Sequence, residues 1–293
     1  MIYKISHRTT YKYKYPVSVG DHVACLKPRS FLHNQLMHYE LLIQPVPAVL
    51  TERIDYFGNQ LCFFTVQDPH EELIVEAKSE VVITHARPAG SSQQEPGWEE
   101  SAHSLADDHS AESLEAQQFQ FESPRIRIRP EYAAYALESF TPRRPMREAL
   151  LELTSRIYHD FKFDSKVTTV RTPTEEVFKK RRGVCQDFAH VQIACLRSIN
   201  LAARYVSGYL RTYPPPGRPR LIGADASHAW LSAYCKGIGW LDMDPTNNVA
   251  PSDGHVTLAW GRDYGDVSPL RGLILGGGGH SLKVAVDMEP VAS

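Results

Sequence analysis

Three residues of this 293-residue chain could together run thiol chemistry: Cys185, His228 and Asp244. Cys185 follows Arg182-Gly183-Val184 and opens an apolar run that reaches Ile199. That pattern puts a sulfur in the first turn of a buried helix. Free N–H groups and partial positive charge at such a helix start stabilise a thiolate and can receive an oxyanion. A thiolate nucleophile needs a histidine that holds the ion pair and later protonates the leaving group, and the histidine needs a carboxylate to orient it. His228 opens the strand-like run His228–Cys235, and Asp244 closes the run Trp240–Asp244. Cys195 falls inside the helix and Cys235 at a strand end, so both read as core. With Cys25 and Cys62 the cysteines are odd in number and widely spaced, without a CxxC pair. A disulfide framework or a structural zinc site is therefore not expected.

The pairing of His228 with Asp244 turns on register. A three-residue loop, 236–238, sets Cys235 opposite Gly239 and Asp244 opposite Trp230. Asp244 then shares a sheet face with His228 and lies diagonal to it, within hydrogen-bond reach. A two-residue loop would turn Asp244 to the other face. Asp242 has the same parity but lies one pair further away. Each residue alone has a structural reading: a core cysteine, a hydrogen-bonded histidine, a turn-forming aspartate before proline. Their joint pattern is what points to catalysis.

The elements that must position these residues are α+β. Residues 1–87 alternate as strands, with Thr9, Tyr11, Tyr13 and Tyr15 on one face, a hairpin turning at Gly58-Asn59, and further strands at 39–43, 73–77 and 81–83. They predict an antiparallel, sandwich-like N-terminal domain that is structural or restricts the substrate. His7, His22, His38 and His70 are scattered through it without ligand spacing. Residues 88–121 hold seven acidic residues and no Lys or Arg. They read as a linker or loose acidic insert over 88–124, with a short helix possible at 111–116. The catalytic domain is expected over 125–293. It comprises a helix over about 145–160, the cysteine helix packed on an antiparallel sheet with Asn200 as a left-handed cap, and strands at 203–210, 228–235 and 240–244. A stiff proline-rich loop spans 213–219, and a last alternating strand runs from Leu282 to Met288.

Gly183-Val184-Cys185-Gln186-Asp187-Phe188-Ala189, His228-Ala229-Trp230 and Trp240…Asp244-Pro245-Thr246-Asn247 together resemble the transglutaminase-like superfamily of papain-like enzymes. Ala203–Tyr209 and Gly261-Arg262-Asp263-Tyr264 look like its bacterial branch. His7–Tyr11 and Asp55–Asn59 look like the accessory N-terminal domain of that branch. The resemblance implies Cys185 as nucleophile, His228 as base and acid, and Asp244 as the orienting group. Animal transglutaminases add an upstream tryptophan on the oxyanion and calcium sites. Here no tryptophan lies between Trp98 and Cys185, and no acidic loop resembles a calcium cage. Oxyanion donors are then the Cys185 N–H plus another group, with Tyr158 and His159 as candidates. The departure favours water over an amine as acyl acceptor.

Composition bounds the partners. A net charge of −2 gives no electrostatic case for nucleic acid or an anionic membrane. No apolar run approaches a membrane span and the N-terminus lacks a signal-peptide core, so a cytosolic location is expected. The expected partner is a peptide or protein substrate, with no cofactor and no metal. The leading expectation is peptide or amide hydrolysis through a thioester. Amine transfer to glutamine and a non-enzymatic binding module on the same fold are the alternatives. A metal site built from His and Asp finds no ligand-spaced cluster in the sequence.

Overall fold

The alternating N-terminal run forms one long strand, β1 (Ile2–Ala24), in a computed structural model that describes residues 1–84, 97–212 and 226–291. Tyr3, Ile5, His7 and Thr9 are buried on one face, as period-two alternation requires. The register shifts between Lys12 and Val17, around Pro16, and Tyr15 is exposed there. Next come β2 (Asn34–Gln44), β3 (Val49–Ile54), β4 (Gln60–Val66) and β5 (His70–Ile83). Gly58 takes φ 78° in the β3–β4 turn, where Asp55 Oδ1 accepts from the N–H groups of Phe57 and Asn59. The two short strands expected at 73–77 and 81–83 are one continuous β5.

The acidic stretch is not simply a linker. Trp98–Asp107 forms α1, Ala111–Gln117 forms α2, and a single 3-10 turn covers Gln118–Gln120. Leu105, Ala116 and Phe119 are buried there. A few apolar residues at helical spacing are enough to dock an otherwise acidic segment. Residues 88–96 of the expected linker lie outside the described residues, as does the proline-rich loop at 213–219.

α3 (Pro130–Leu137), α4 (Met146–Asp160), β6 (Lys162–Phe163), α5 (Thr174–Lys180) and β7 (Arg182–Gly183) lead into α6 (Cys185–Arg197). After α6 the backbone turns through Asn200 at φ 61°, the expected left-handed position. β8 (Ala203–Leu210), β9 (Ala226–Cys235), β10 (Gly239–Met243) and β11 (His255–Gly261) form an antiparallel sheet ordered β10-β9-β8-β11. Ala203, Tyr205, Ala229, Leu231 and Ala233 share a core with Phe188, Val191 and Leu196 of α6. Burying each large apolar side chain contributes roughly 1.5–3 kcal/mol, so α6 is firmly seated and its N-terminus is a fixed point. Alternate residues of the same strands, Val206, Trp230 and Tyr234, pack on the reverse face with Leu105, Ala116 and Phe119.

The last two strands correct the expected domain boundary. β12 (Leu270–Gly276) and β13 (His280–Val291) return to the N-terminal sheet. β12 pairs with Val17–Ala24 of β1, and β13 pairs with Ile2–Tyr13. They cover the edge of β1 that β4 and β5 leave open, which removes an exposed strand edge. The unit expected over 125–293 thus gives up β12 and β13 to the N-terminal sheet in structural terms. The sandwich-like domain is one curled antiparallel sheet closed by the two ends of the chain. Tyr209, Val256 and Leu258 of the core sheet share a core with Tyr3, Ile5 and Phe64, so the two sheets pack as one unit. No helix among the described residues is long and apolar enough to cross a membrane.

Candidate active site

Cys185 is the first residue of α6, with Val184 at the N-cap. Asp187 Oδ2 accepts from the Val184 N–H at 2.9 Å and from Thr168 Oγ1 at 2.7 Å. Burial pushes the Asp187 carboxyl up, against these two hydrogen bonds. A Cβ on Gly183 would sit 2.7 Å from Asp187 Oδ2. The glycine is needed for clearance: it lets Asp187 fold back over the helix start and brace the turn that carries the sulfur. Cys185 is half-buried, while the other four cysteines are buried. Burial pushes Cys25 and Cys195 up to about 12 and Cys62 up to about 11. Those three are inert core thiols at neutral pH.

The register that the pairing of His228 and Asp244 requires is the one observed. Cys235 pairs with Gly239, Trp240 with Tyr234 and Met243 with Leu231. His228 and Asp244 are both buried. His228 Nε2 donates to Asp244 Oδ2 at 2.7 Å, and Cys185 lines the same cleft as this imidazole. The second ring nitrogen, Nδ1, is therefore the one left for the thiol. Burial opposes charge on His228, but Asp244 and Cys185 outweigh it and push the imidazole up to about 10. Burial likewise opposes charge on Asp244, but His228, His255 and Asn247 hold its carboxyl well below the usual carboxylate range. Both shifts describe an imidazolium–carboxylate pair at neutral pH. Asp242, the weaker candidate, bonds Ser232 instead.

Two residues that sequence reasoning missed complete the carboxylate's shell. Asn247 Nδ2 donates to Asp244 Oδ2 at 2.7 Å, and the N–H groups of Thr246 and Asn247 reach Oδ1 at 2.9 and 3.3 Å. The Asp-Pro-Thr-Asn stretch carries a readable signal for this, since an aspartate in a turn accepts from the backbone just beyond it. His255 Nε2 donates to Asp244 Oδ2 at 3.1 Å. His255 opens β11 as His228 stands near the start of β9, but no local pattern brings β11 to Asp244. Ligand atoms of His228, Asp244 and His255 lie within 4.8 Å of one another, close enough to hold a metal ion. The two hydrogen bonds to Asp244 account for that convergence by themselves.

Cys185 and His228 line a cleft of about 270 Å³. His7, Tyr11, Leu282 and Val284 from the N-terminal sheet form its opposite wall, so the accessory sheet is part of the site. His7 sits there as a structural residue, bonded to Tyr209 Oη and Thr9 Oγ1, and burial pulls it down to about 4. Tyr205 lines the cleft too; burial and then the neighbouring Cys185 hold its phenol un-ionised. Tyr158 and His159 do not line this cleft. Tyr158 is exposed on α4, and His159 bonds Ser155 on the same helix.

Comparisons with known proteins bear on the family and the fold. Residues 3–82 match the bacterial transglutaminase-like N-terminal region, and residues 133–245 match the transglutaminase-like superfamily. An uncharacterised protein of Mycobacterium tuberculosis is 39% identical over 98% of this chain and 92% of its own length. A protein-glutamine gamma-glutamyltransferase of Pseudomonas aeruginosa is 36% identical over 26% of this chain and 11% of its own length. A solved structure from Cytophaga hutchinsonii, described as a candidate cysteine protease, superposes with a TM-score of 0.78. It covers 100% of this chain and 91% of that one at 20% identity, which shows a shared fold. The chain belongs to the bacterial transglutaminase-like family, a group of cysteine hydrolases and acyltransferases built on a cysteine-protease-like α+β fold.

Proposed function

We propose that the protein hydrolyses peptide or amide bonds through a Cys185–His228–Asp244 triad and a thioester intermediate. The observation that carries this reading is His228 bonded to Asp244 in the cleft that Cys185 lines from the start of α6. The Cys185 thiolate attacks the carbonyl carbon, and the oxyanion forms beside the free N–H groups of the first helical turn. The C–N bond breaks as His228 donates its Nδ1 proton to the leaving nitrogen. His228 then takes a proton from water, whose oxygen attacks the thioester carbonyl. Collapse releases the acid and restores the sulfur. Asp244 keeps the imidazole oriented and charged-competent throughout, and does not itself take the proton.

Water is favoured as acceptor because no tryptophan is among the described residues lining the cleft. The local likeness to the Pseudomonas aeruginosa protein-glutamine gamma-glutamyltransferase supports the second reading, amine transfer to a glutamine side chain. Both share the first half-reaction and differ only in what attacks the thioester. Release of amine or ammonia from peptide and glutamine-amide substrates is measured with wild type and Cys185→Ala, with and without a primary amine. Hydrolysis that disappears in Cys185→Ala supports the assignment. Equal turnover by both proteins sinks it, and faster turnover with added amine transfers the assignment to the second reading.

A further inference from the structure

The largest cavity among those described lies on the reverse face of the β8–β11 sheet, away from α6. It has a volume of about 810 Å³, within the range of small-molecule sites. At its base is Arg204, only 7% exposed. Its guanidinium is sandwiched between the rings of Trp240 at 4.0 Å and Trp260 at 3.8 Å. No hydrogen bond or ion pair reaches this guanidinium from any described residue, and Nε is fully buried without a partner.

Two other arginines, one buried and one stacked on the same ring, are satisfied. Arg197, equally buried, donates to the carbonyls of Ala203, Phe121 and Arg262. Arg29, stacked 3.5 Å over the same Trp260, donates to Phe57 O and Asn59 Oδ1. Arg204 differs from these two: among the described residues no acceptor meets its guanidinium. Its ring-stacked faces are closed, so only its planar edge is available, and that edge borders the cavity. Such an edge matches a carboxylate bidentately.

The rest of the lining decides the charge of the ligand. Asp242, Glu112 and Glu115 also face the cavity. Glu112 and Glu115 are exposed and one turn apart on α2, so they stand at the mouth. A simple anion would meet three carboxylates for one guanidinium. A ligand that also carries a cation is matched at both ends. The walls between are apolar and aromatic, with Phe31, Leu32 and Trp240.

We propose that this cavity binds a zwitterionic α-amino acid with an apolar side chain, its carboxylate on the Arg204 edge and its ammonium on Glu112 and Glu115. The inference does not rest on the chemistry of Cys185. Three of the four tryptophans, Trp230, Trp240 and Trp260, line the cavity, so their fluorescence reports occupancy directly.

The test titrates the full chain with L-phenylalanine and L-leucine, and with 3-phenylpropionate and 2-phenylethylamine as probes lacking one charge each, by fluorescence and by calorimetry. At least one amino acid is expected to saturate with a Kd below about 10 mM, and each single-charge probe to bind at least about tenfold more weakly. Arg204→Met is expected to abolish binding, with circular dichroism and the rate of Cys185 alkylation checking that the fold is intact. The exposed double variant Glu112→Gln, Glu115→Gln gives a reading free of core disruption. It is expected to weaken the amino acid about tenfold and to leave 3-phenylpropionate unchanged or tighter. Failure of both amino acids to bind, 3-phenylpropionate binding as tightly as the amino acid, or a double variant with unchanged affinity each overturns the proposal.

Discussion

The two faces of the β8–β11 sheet both bury charge, and they treat it differently. On the Cys185 side, the His228–Asp244 pair is satisfied by named donors: Asn247, His255 and two backbone N–H groups complete the carboxylate's shell. On the reverse face Arg204 is stacked against two indoles, and no hydrogen bond reaches it from the described residues. Satisfied buried charges are held in one geometry, as a chemical step requires. An unsatisfied one is costly alone and becomes favourable only when a partner arrives. The contrast matches the two roles proposed for the two faces.

That comparison breaks most sharply at the thiol. Cys185→Ala should lower kcat by about 10⁴-fold or more in an amide-hydrolysis assay and leave amino-acid binding on the reverse face unchanged. Asp244→Asn comes next, because it keeps the shape but removes the charge that orients and stabilises the imidazolium. A loss of about 10³–10⁴-fold in kcat is expected, read by steady-state kinetics. His255→Gln removes or weakens one hydrogen bond to a charged group, worth about 1.5–3 kcal/mol, which corresponds to roughly a 10–100-fold fall in kcat. A smaller fall would mean that Asn247 and the backbone suffice to hold Asp244.

Stability should follow the same side of the sheet. His228 is raised in the folded state to about 10, so its stabilisation is full below the unfolded value near 6.5 and is lost as pH rises through 10. Asp244 is depressed, so its share is present above the unfolded value near 3.9 and is lost as pH falls through its lowered folded value. Thermal melts of wild type between pH 6.5 and 10 should therefore fall more steeply than those of His228→Gln, which has no such pair to lose. Gly183→Ala should cost about 1–3 kcal/mol, because its Cβ would meet Asp187 at 2.7 Å; urea melts read this directly.

The meeting of His228 with Asp244, and Cys185 at a helix start, were legible because their signals are local. A glycine turn before an apolar run marks the helix start, and the three-residue loop at 236–238 carries Asp244 to the face of His228 by period-two parity. Strand β8 and the left-handed Asn200 were readable for the same reason. Pairing between distant strands was not. β12 and β13 alternate like many strands, and nothing in their own residues says that they pair with β1 about 250 positions away. The acidic stretch hid α1 and α2, because Leu105, Ala116 and Phe119 are sparse among charges and gain their burial only against the reverse face of the sheet.

By itself the sequence determined the α+β class, the cysteine at a helix start, and the strand parity that brings a carboxylate to a histidine. These depend on contacts a few residues apart or on a single hairpin. Only the tertiary structure decided that the accessory sheet forms a wall of the Cys185 cleft, that His255 joins Asp244, and that Arg204 stands between two tryptophans without a hydrogen-bond partner among the described residues. Each of those depends on where separate elements meet in space, and packing between elements distant in the chain leaves no period in the residues that take part.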